Sequence, residues 1–145
     1  MEIDEMAERL RLVFRAMKRQ ITSVSGPDSP TYTETFVLAL LDENGPMTSS
    51  ALSAAQNVRP QTMGQALDGL GARGWIARGP HLTDRRQILI SLAPDGRRAL
   101  ARGRRLRQAW LVKEIGRLKP ADRRLLSSSI TVFERLFQTE TETKP

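Results

Sequence analysis

Apolar residues recur at spacings of three and four from Ile3 to Ile21, at Ile3, Met6, Leu10, Val13, Met17 and Ile21. That spacing predicts one face of an amphipathic helix. Gly26, Pro27 and Pro30 break the pattern and mark a loop. Thr31 followed by Glu34 is a capping-box signature for a second helix, whose apolar side is Val37, Leu38 and Leu41. Asn44-Gly45-Pro46 ends it. Thr48 is the expected N-cap of a short third helix running to about Gln56 and burying Ala51, Leu52 and Ala55. Pro60 takes the favoured first position of a fourth helix with Met63, Ala66, Leu67 and Leu70 inward, ended by Gly74.

The period then shifts from helix to strand. Residues 75–78 read as a short strand, and a polar excursion runs from Gly79 through Thr83-Asp84-Arg85-Arg86. Ile88, Ile90 and Leu92 alternate with Leu89 and Ser91 as the returning strand. Pro94-Asp95-Gly96 opens a long arginine-dense helix reaching about Leu118, with Leu100, Leu106, Trp110, Leu111 and Ile115 apolar and Gly103 interrupting. Lys119-Pro120 ends it, and a last helix from about Ala121 to Phe137 carries Leu125, Leu126, Ile130, Phe133 and Phe137. Residues 139–145 read as a frayed tail. The expected class is mainly α with a small β-hairpin.

Charge adds a direction to this outline. The chain carries a formal +7, but residues 1–47 hold 5 basic and 8 acidic side chains while 48–119 hold 14 and 4. A centre of net +10 is a surface suited to a polyanion. The six arginines from Arg97 to Arg107 spread around their helix at about 100° per residue. Some are expected to reach phosphates, and others to pair with the acidic first helix of the same or the partner subunit.

Composition removes other classes. There is no cysteine, so thiolate metal sites and cysteine redox chemistry are excluded. The single histidine, His81, lies in the polar excursion with no nucleophile–base set around it, and no phosphate-binding glycine loop occurs. No enzyme, cofactor or metal is expected. The longest apolar run, Phe36 to Leu41, is far too short to span a bilayer, and Glu2, Asp4 and Glu5 are unlike a secretory leader. A cytoplasmic protein without a membrane partner is the expectation.

Two short helices joined at Gln56-Asn57-Val58-Arg59 and followed by a hairpin form a helix-turn-helix with a wing. The second helix of such a unit enters the major groove, where side chains read base edges. With Met63, Ala66, Leu67 and Leu70 inward, the opposite side presents Gln61, Thr62, Gly64, Gln65 and Asp68, with Arg59 just before it. Glutamine suits adenine, and arginine suits guanine or phosphate. Arg59, Arg78, Arg85 and Arg86 are candidate phosphate contacts. An interaction adaptor without specific DNA binding is the competing reading, because a fold does not settle function. The lack of an aromatic stacking platform counts against RNA.

The stretch Met47–Gly96 resembles the MarR family of bacterial transcription regulators. The resemblance rests on Thr48 through Leu52, Val58-Arg59-Pro60-Gln61-Thr62-Met63, Arg73-Gly74-Trp75-Ile76, Asp84-Arg85-Arg86 and Leu92-Ala93-Pro94-Asp95-Gly96. It implies one domain over 1–145, with 31–96 as the winged DNA-binding part and 1–30 and 97–138 as dimerisation helices. It further implies a homodimer reading a palindromic operator, Thr48 and Ser49 near DNA, Arg86 in the minor groove and Asp84 orienting it. A repressor released by a small, often aromatic ligand is the implied activity, with no ligand-binding residues assigned. Leu106, Trp110, Phe133 and Phe137 are the expected shared core of the dimer. Gly64, Gly69 and Gly71 depart from the family pattern, at about 1 kcal/mol each relative to alanine inside a helix.

Overall fold

A computed structural model describes residues 1–138. The elements are α1 (Ile3–Ser23), α2 (Tyr32–Asn44), β1 (Met47–Thr48), α3 (Ser49–Gln56), α4 (Pro60–Ala72), β2 (Ile76–Pro80), β3 (Ile88–Leu92), α5 (Pro94–Gly116) and α6 (Pro120–Phe137). The expected frayed tail, 139–145, lies outside the described residues. The fold is mainly helical, with one small antiparallel sheet in the order β1-β3-β2. The chain divides into two compact units, Met1–Arg107 and Gln108–Pro145, and α5 runs through the boundary.

In the first unit, α2 starts as its residues dictate. The Glu34 N–H donates to Thr31 Oγ1 at 3.2 Å, and the Thr31 N–H donates to Glu34 Oε1 at 3.4 Å. That capping box satisfies two helix-end donors at once. Val37, Leu38 and Leu41 of α2 then pack with Leu52 of α3 and with Met63, Leu67 and Leu70 of α4, while Ile76, Ile90 and Leu100 close the core. The rest of the Glu34 side chain lies buried against Gly69, where a Cβ would sit 3.4 Å from Oε2. That distance is an ordinary van der Waals contact, so the carboxylate packs on α4 at Gly69 without requiring a glycine there.

Three expectations are corrected here. Ala51 and Ala55 are exposed, and Leu52 and Ser53 take the inward side of α3. In a two-turn helix, alanines carry too little apolar surface to fix its rotation. Met47 and Thr48 form a short strand, pairing Met47 with Ile90 and Thr48 with Leu89; two residues are too few to show a period. The first hairpin strand extends to Pro80, opposite Ile88. Proline is tolerated there because β2 is an edge strand.

Gly96 is required by a close approach. A Cβ at this position would collide with the carbonyl oxygen of Trp75, which also accepts the Ala93 N–H at 3.0 Å. The start of α5 is thereby pinned to the strand entry, and Leu100 reaches the core. Among the described residues of one chain, the paired arginines of this stretch take partners on α2 and α5 and not on α1. Arg97 and Arg104 both donate to Asp42 of α2, at 2.7 and 3.3 Å, and Arg98 pairs with Asp95. Arg97 and Arg104 are two turns apart and so share a face of α5.

In the second unit, Pro120 occupies the first turn of α6 after Lys119 as N-cap. The rings of Phe133 and Phe137 lie 6.4 Å apart, as expected one turn apart on a helix. No residue of α6 is fully buried, and the same holds for α1 in the first unit.

Candidate nucleic-acid interface

The helix-turn-helix is set by local chemistry. Thr48 Oγ1 accepts the Ala51 N–H at 3.1 Å and so starts α3. Asn57 ends it in the left-handed conformation (φ 53°, ψ 48°), one of the few side chains that tolerates it. The Val58 N–H returns to Ser53 O at 3.1 Å, and Pro60 then opens α4 with its φ already helical. Ser49 is half-buried at the start of α3.

Burial fixes the rotation of α4. Met63, Ala66, Leu67 and Leu70 are buried, while Gln61, Thr62, Gln65 and Asp68 are exposed, as is Arg59 before them. No side chain caps the N-terminus of α4, and the first N–H bonded back to Arg59 O is that of Met63. The backbone N–H groups of Gln61 and Thr62 therefore point outward at the positive end of a helix dipole, an arrangement suited to phosphate.

The wing is shaped by side chains that fold back on its own backbone. His81 Nδ1 accepts N–H groups from Thr83 at 3.2 Å and Asp84 at 3.1 Å. Asp84 Oδ1 accepts the Arg86 N–H at 3.0 Å, and its carbonyl accepts the Gln87 N–H at 3.1 Å. Asp84 thus holds the main chain at Arg86 and leaves the guanidinium to solvent; Arg85 and Arg86 are both exposed. His81, set aside in the sequence as a non-catalytic loop histidine, thus has a structural role in the wing turn. Its signal was its position, three residues before an aspartate in a tight polar turn.

Arg78, by contrast, is already engaged. Its Nη2 donates to Asp68 Oδ1 of α4 at 3.2 Å. Of the four candidate phosphate contacts, Arg59, Arg85 and Arg86 have no acidic partner among the described residues. Together with the polar side of α4 they form a surface chemically matched to duplex DNA.

Of the residues expected at a shared core, Leu106 is 37% and Phe137 54% exposed, while Trp110 and Phe133 are half-buried. Leu106 also lines a cavity of about 440 Å³ within the first unit, walled by Ile21, Tyr32, Leu38, Trp75 and Leu100. Arg73, the residue after α4, stacks its guanidinium 4.6 Å above the Trp75 ring and donates to the Asp28 carbonyl at 2.7 Å. Both Trp75 and Asp28 line that cavity. Among the described residues, no cluster of histidines and carboxylates is placed to hold a metal, and no helix is long and apolar enough to cross a membrane.

Comparison with known proteins agrees with this geometry. Residues 31–88, the segment from the capping box to the second hairpin strand, match the model of the MarR family. An HTH-type transcriptional regulator of Mycobacterium bovis is 32% identical over 125 residues, 86% of this chain and 87% of its own. The multiple antibiotic resistance protein MarR of Salmonella typhimurium is 30% identical over 95 residues, 66% of each chain. Among solved structures, a transcriptional regulator protein of Pseudomonas aeruginosa superposes with a TM-score of 0.77 at 30% identity, covering 94% of this chain and 96% of its own.

Proposed function

The chain belongs to the MarR family of HTH-type transcription regulators, which are not enzymes, and we propose that it is a homodimeric repressor that reads a palindromic duplex operator and is released by a small ligand. The observation that carries this reading is the division of α4. One side supplies the core through Met63, Leu67 and Leu70, while the other presents Gln61, Thr62 and Gln65 beside the exposed wing arginines. In this reading Gln61 and Gln65 face base edges in the major groove. Arg86 enters the adjacent minor groove, where a narrow A·T-rich segment strengthens the negative potential. Arg59 and Arg85 take phosphates, Thr48 and Ser49 lie near the backbone, and Arg78 exchanges Asp68 for DNA.

Two further observations support the finer parts. Large apolar side chains stay exposed along α1 (Ile3 82%, Val13 61%) and α6 (Leu125 68%, Leu136 62%). Apolar stripes of that length mark association surfaces, and a second copy of this chain supplies matching ones. The shared core proposed there contains Leu106, Trp110, Phe133 and Phe137. The 440 Å³ cavity falls within the size range of small-molecule sites, and Arg73 links its wall to the end of α4.

The test is fluorescence anisotropy with a duplex from the region upstream of the protein's own gene, against a random duplex of equal length. A preference of about a thousandfold at physiological salt is expected of a specific regulator. Equal affinity for both would leave a non-specific binder, and no affinity for either would leave an interaction adaptor.

A further inference from the structure

The single histidine of the chain is held as an acceptor inside the wing. Half-buried, it takes the N–H groups of Thr83 at 3.2 Å and Asp84 at 3.1 Å on Nδ1. An imidazole nitrogen accepts only when it carries no proton, so this geometry requires the neutral ring with its proton on Nε2. The ring plays the part of the side-chain oxygen in an Asx turn, which accepts from the backbone two residues on. Histidine differs from asparagine in one respect: it changes charge between about pH 5 and 8. A proton on Nδ1 turns the acceptor into a donor, and both N–H groups lose their partner. Thr83 Oγ1, 3.3 Å away, is then the neighbour that can accept from the ring.

These bonds lead to Arg86. The ring holds the main chain at Asp84, and the Asp84 carboxylate in turn accepts the Arg86 N–H at 3.0 Å. The turn closes where the His81 N–H donates to Gln87 O at 3.2 Å. Among the described residues the hydrogen bonds of the ring stay within this turn, and no carboxylate pairs with it. The charged groups of the turn are Asp84, Arg85 and Arg86. Of the flanking strands, β2 brings Arg78, tied to Asp68 of α4, and β3 carries no charged side chain. Neither acid bonds to the ring, so in this geometry a protonated His81 gains no ion pair for the two N–H bonds it gives up.

We propose that His81 is a positioning residue for Arg86: the neutral imidazole fixes the wing turn in its reading geometry and protonation releases it, which makes sequence-specific binding proton-dependent. The two components of DNA binding then respond differently to acid. Release of the turn withdraws Arg86 from the minor groove and lowers affinity for the operator. Attraction to phosphate carries no sequence information, and an added positive charge in the wing keeps or strengthens it. The ratio of operator to random affinity therefore falls as pH falls. This consequence rests on the operator reading above, whereas the hold of the ring on the turn stands without DNA.

The test has one arm without DNA. Nitrogen NMR of the protein should show His81 protonated on Nε2 at about pH 8, and the amide of Arg86, which does not touch the ring, should shift along the His81 titration down to about pH 5.5. His81→Asn supplies an acceptor that does not titrate and should hold that amide still. The second arm is anisotropy on operator and random duplexes. The wild-type preference should fall about tenfold over the same range, the scale of two ordinary hydrogen bonds. His81→Asn should keep the preference at both ends of the range, and His81→Leu should lack it at both. In an Arg86→Ala background, acid should no longer change the preference. A ring protonated on Nδ1 in the neutral form, or an Arg86 amide that ignores the titration or moves equally in His81→Asn, overturns the proposal. So does a wild-type preference that stays level with pH, falls equally in His81→Asn or falls equally without Arg86. A wild type with no preference even at high pH removes the operator reading instead, and the NMR arm alone then decides whether His81 holds the turn.

Discussion

Arg78 on β2 donates to Asp68 on α4 at 3.2 Å, so a cation of the wing strand is tied to the exposed side of the helix proposed to read DNA. Both side chains are well solvated, 46% and 79% exposed, and such pairs contribute about 0–1 kcal/mol. Their effect on DNA binding is the larger one, because Asp68 both repels phosphate and holds a cation back from it. Asp68→Asn should leave thermal stability nearly unchanged and raise affinity for random duplex. The log–log salt slope should steepen by about 1 per subunit. An unchanged slope in anisotropy titrations would mean that Arg78 stays off the phosphates.

Base reading and phosphate anchoring separate by their dependence on sequence. Gln65→Ala should weaken the operator by about 1–3 kcal/mol and leave random duplex little changed. Arg86→Ala should cost as much or more on the operator, in proportion to the A·T content under the wing. Arg85→Ala should weaken all duplexes alike and flatten the salt slope by about 1 per subunit. Asp84→Ala should reproduce part of the Arg86→Ala loss, because it frees the main chain at Arg86 while keeping the charge. Equal losses on both duplexes for Gln65→Ala and Arg86→Ala would displace the reading surface from α4 and the wing tip.

Asp42 holds two arginines of α5, at 2.7 and 3.3 Å, and its own side chain is only 24% exposed. Asp42→Ala should lower stability by about 1 kcal/mol, since it leaves Arg97 and Arg104 without their shared partner. Arg97→Ala in the Asp42→Ala background should then cost less than it does alone. Additive losses in urea unfolding would show that the pair is only a solvated neighbour.

The glycines divide by what surrounds them. Gly71 in α4 has open space where a Cβ would go, so Gly71→Ala should stabilise by about 0.5–1 kcal/mol. Gly96→Ala should destabilise by about 2 kcal/mol or more, because the new methyl collides with the Trp75 carbonyl. Thermal melts of the two variants moving in the same direction would contradict this packing at the start of α5.

Sedimentation at micromolar concentration should show a dimer. Trp110→Ala and Phe133→Ala are each expected to weaken it by about 2 kcal/mol or more, as truncation of a central aromatic does. A folded monomer of the wild type under these conditions would remove the dimer, and the palindromic operator with it.

Sequence alone determined the helices, the turn and the hairpin, because each rests on short-range rules. Thr31 and Glu34 close a capping box within one turn, Pro60 starts a helix by its own ring, and Asn57 and Gly74 accept positive φ. The inward stripe of α4, and hence its outward polar side, follows from a 3.6-residue period and needs no partner to be read. Tertiary structure decided what depends on side chains far apart in the chain. Asp42 and Arg104 are 62 residues apart, so their pairing is invisible to any local pattern; within one chain Arg97 and Arg104 take Asp42 of α2 and not the acidic first helix. The rotation of α3 was likewise fixed by the core around Leu52, since its alanines bury too little surface to choose a face. Arg102 and Arg107 show the same limit: six arginines in one helix are equivalent in sequence, and only packing leaves these two lining a cavity with no carboxylate paired to them among the described residues.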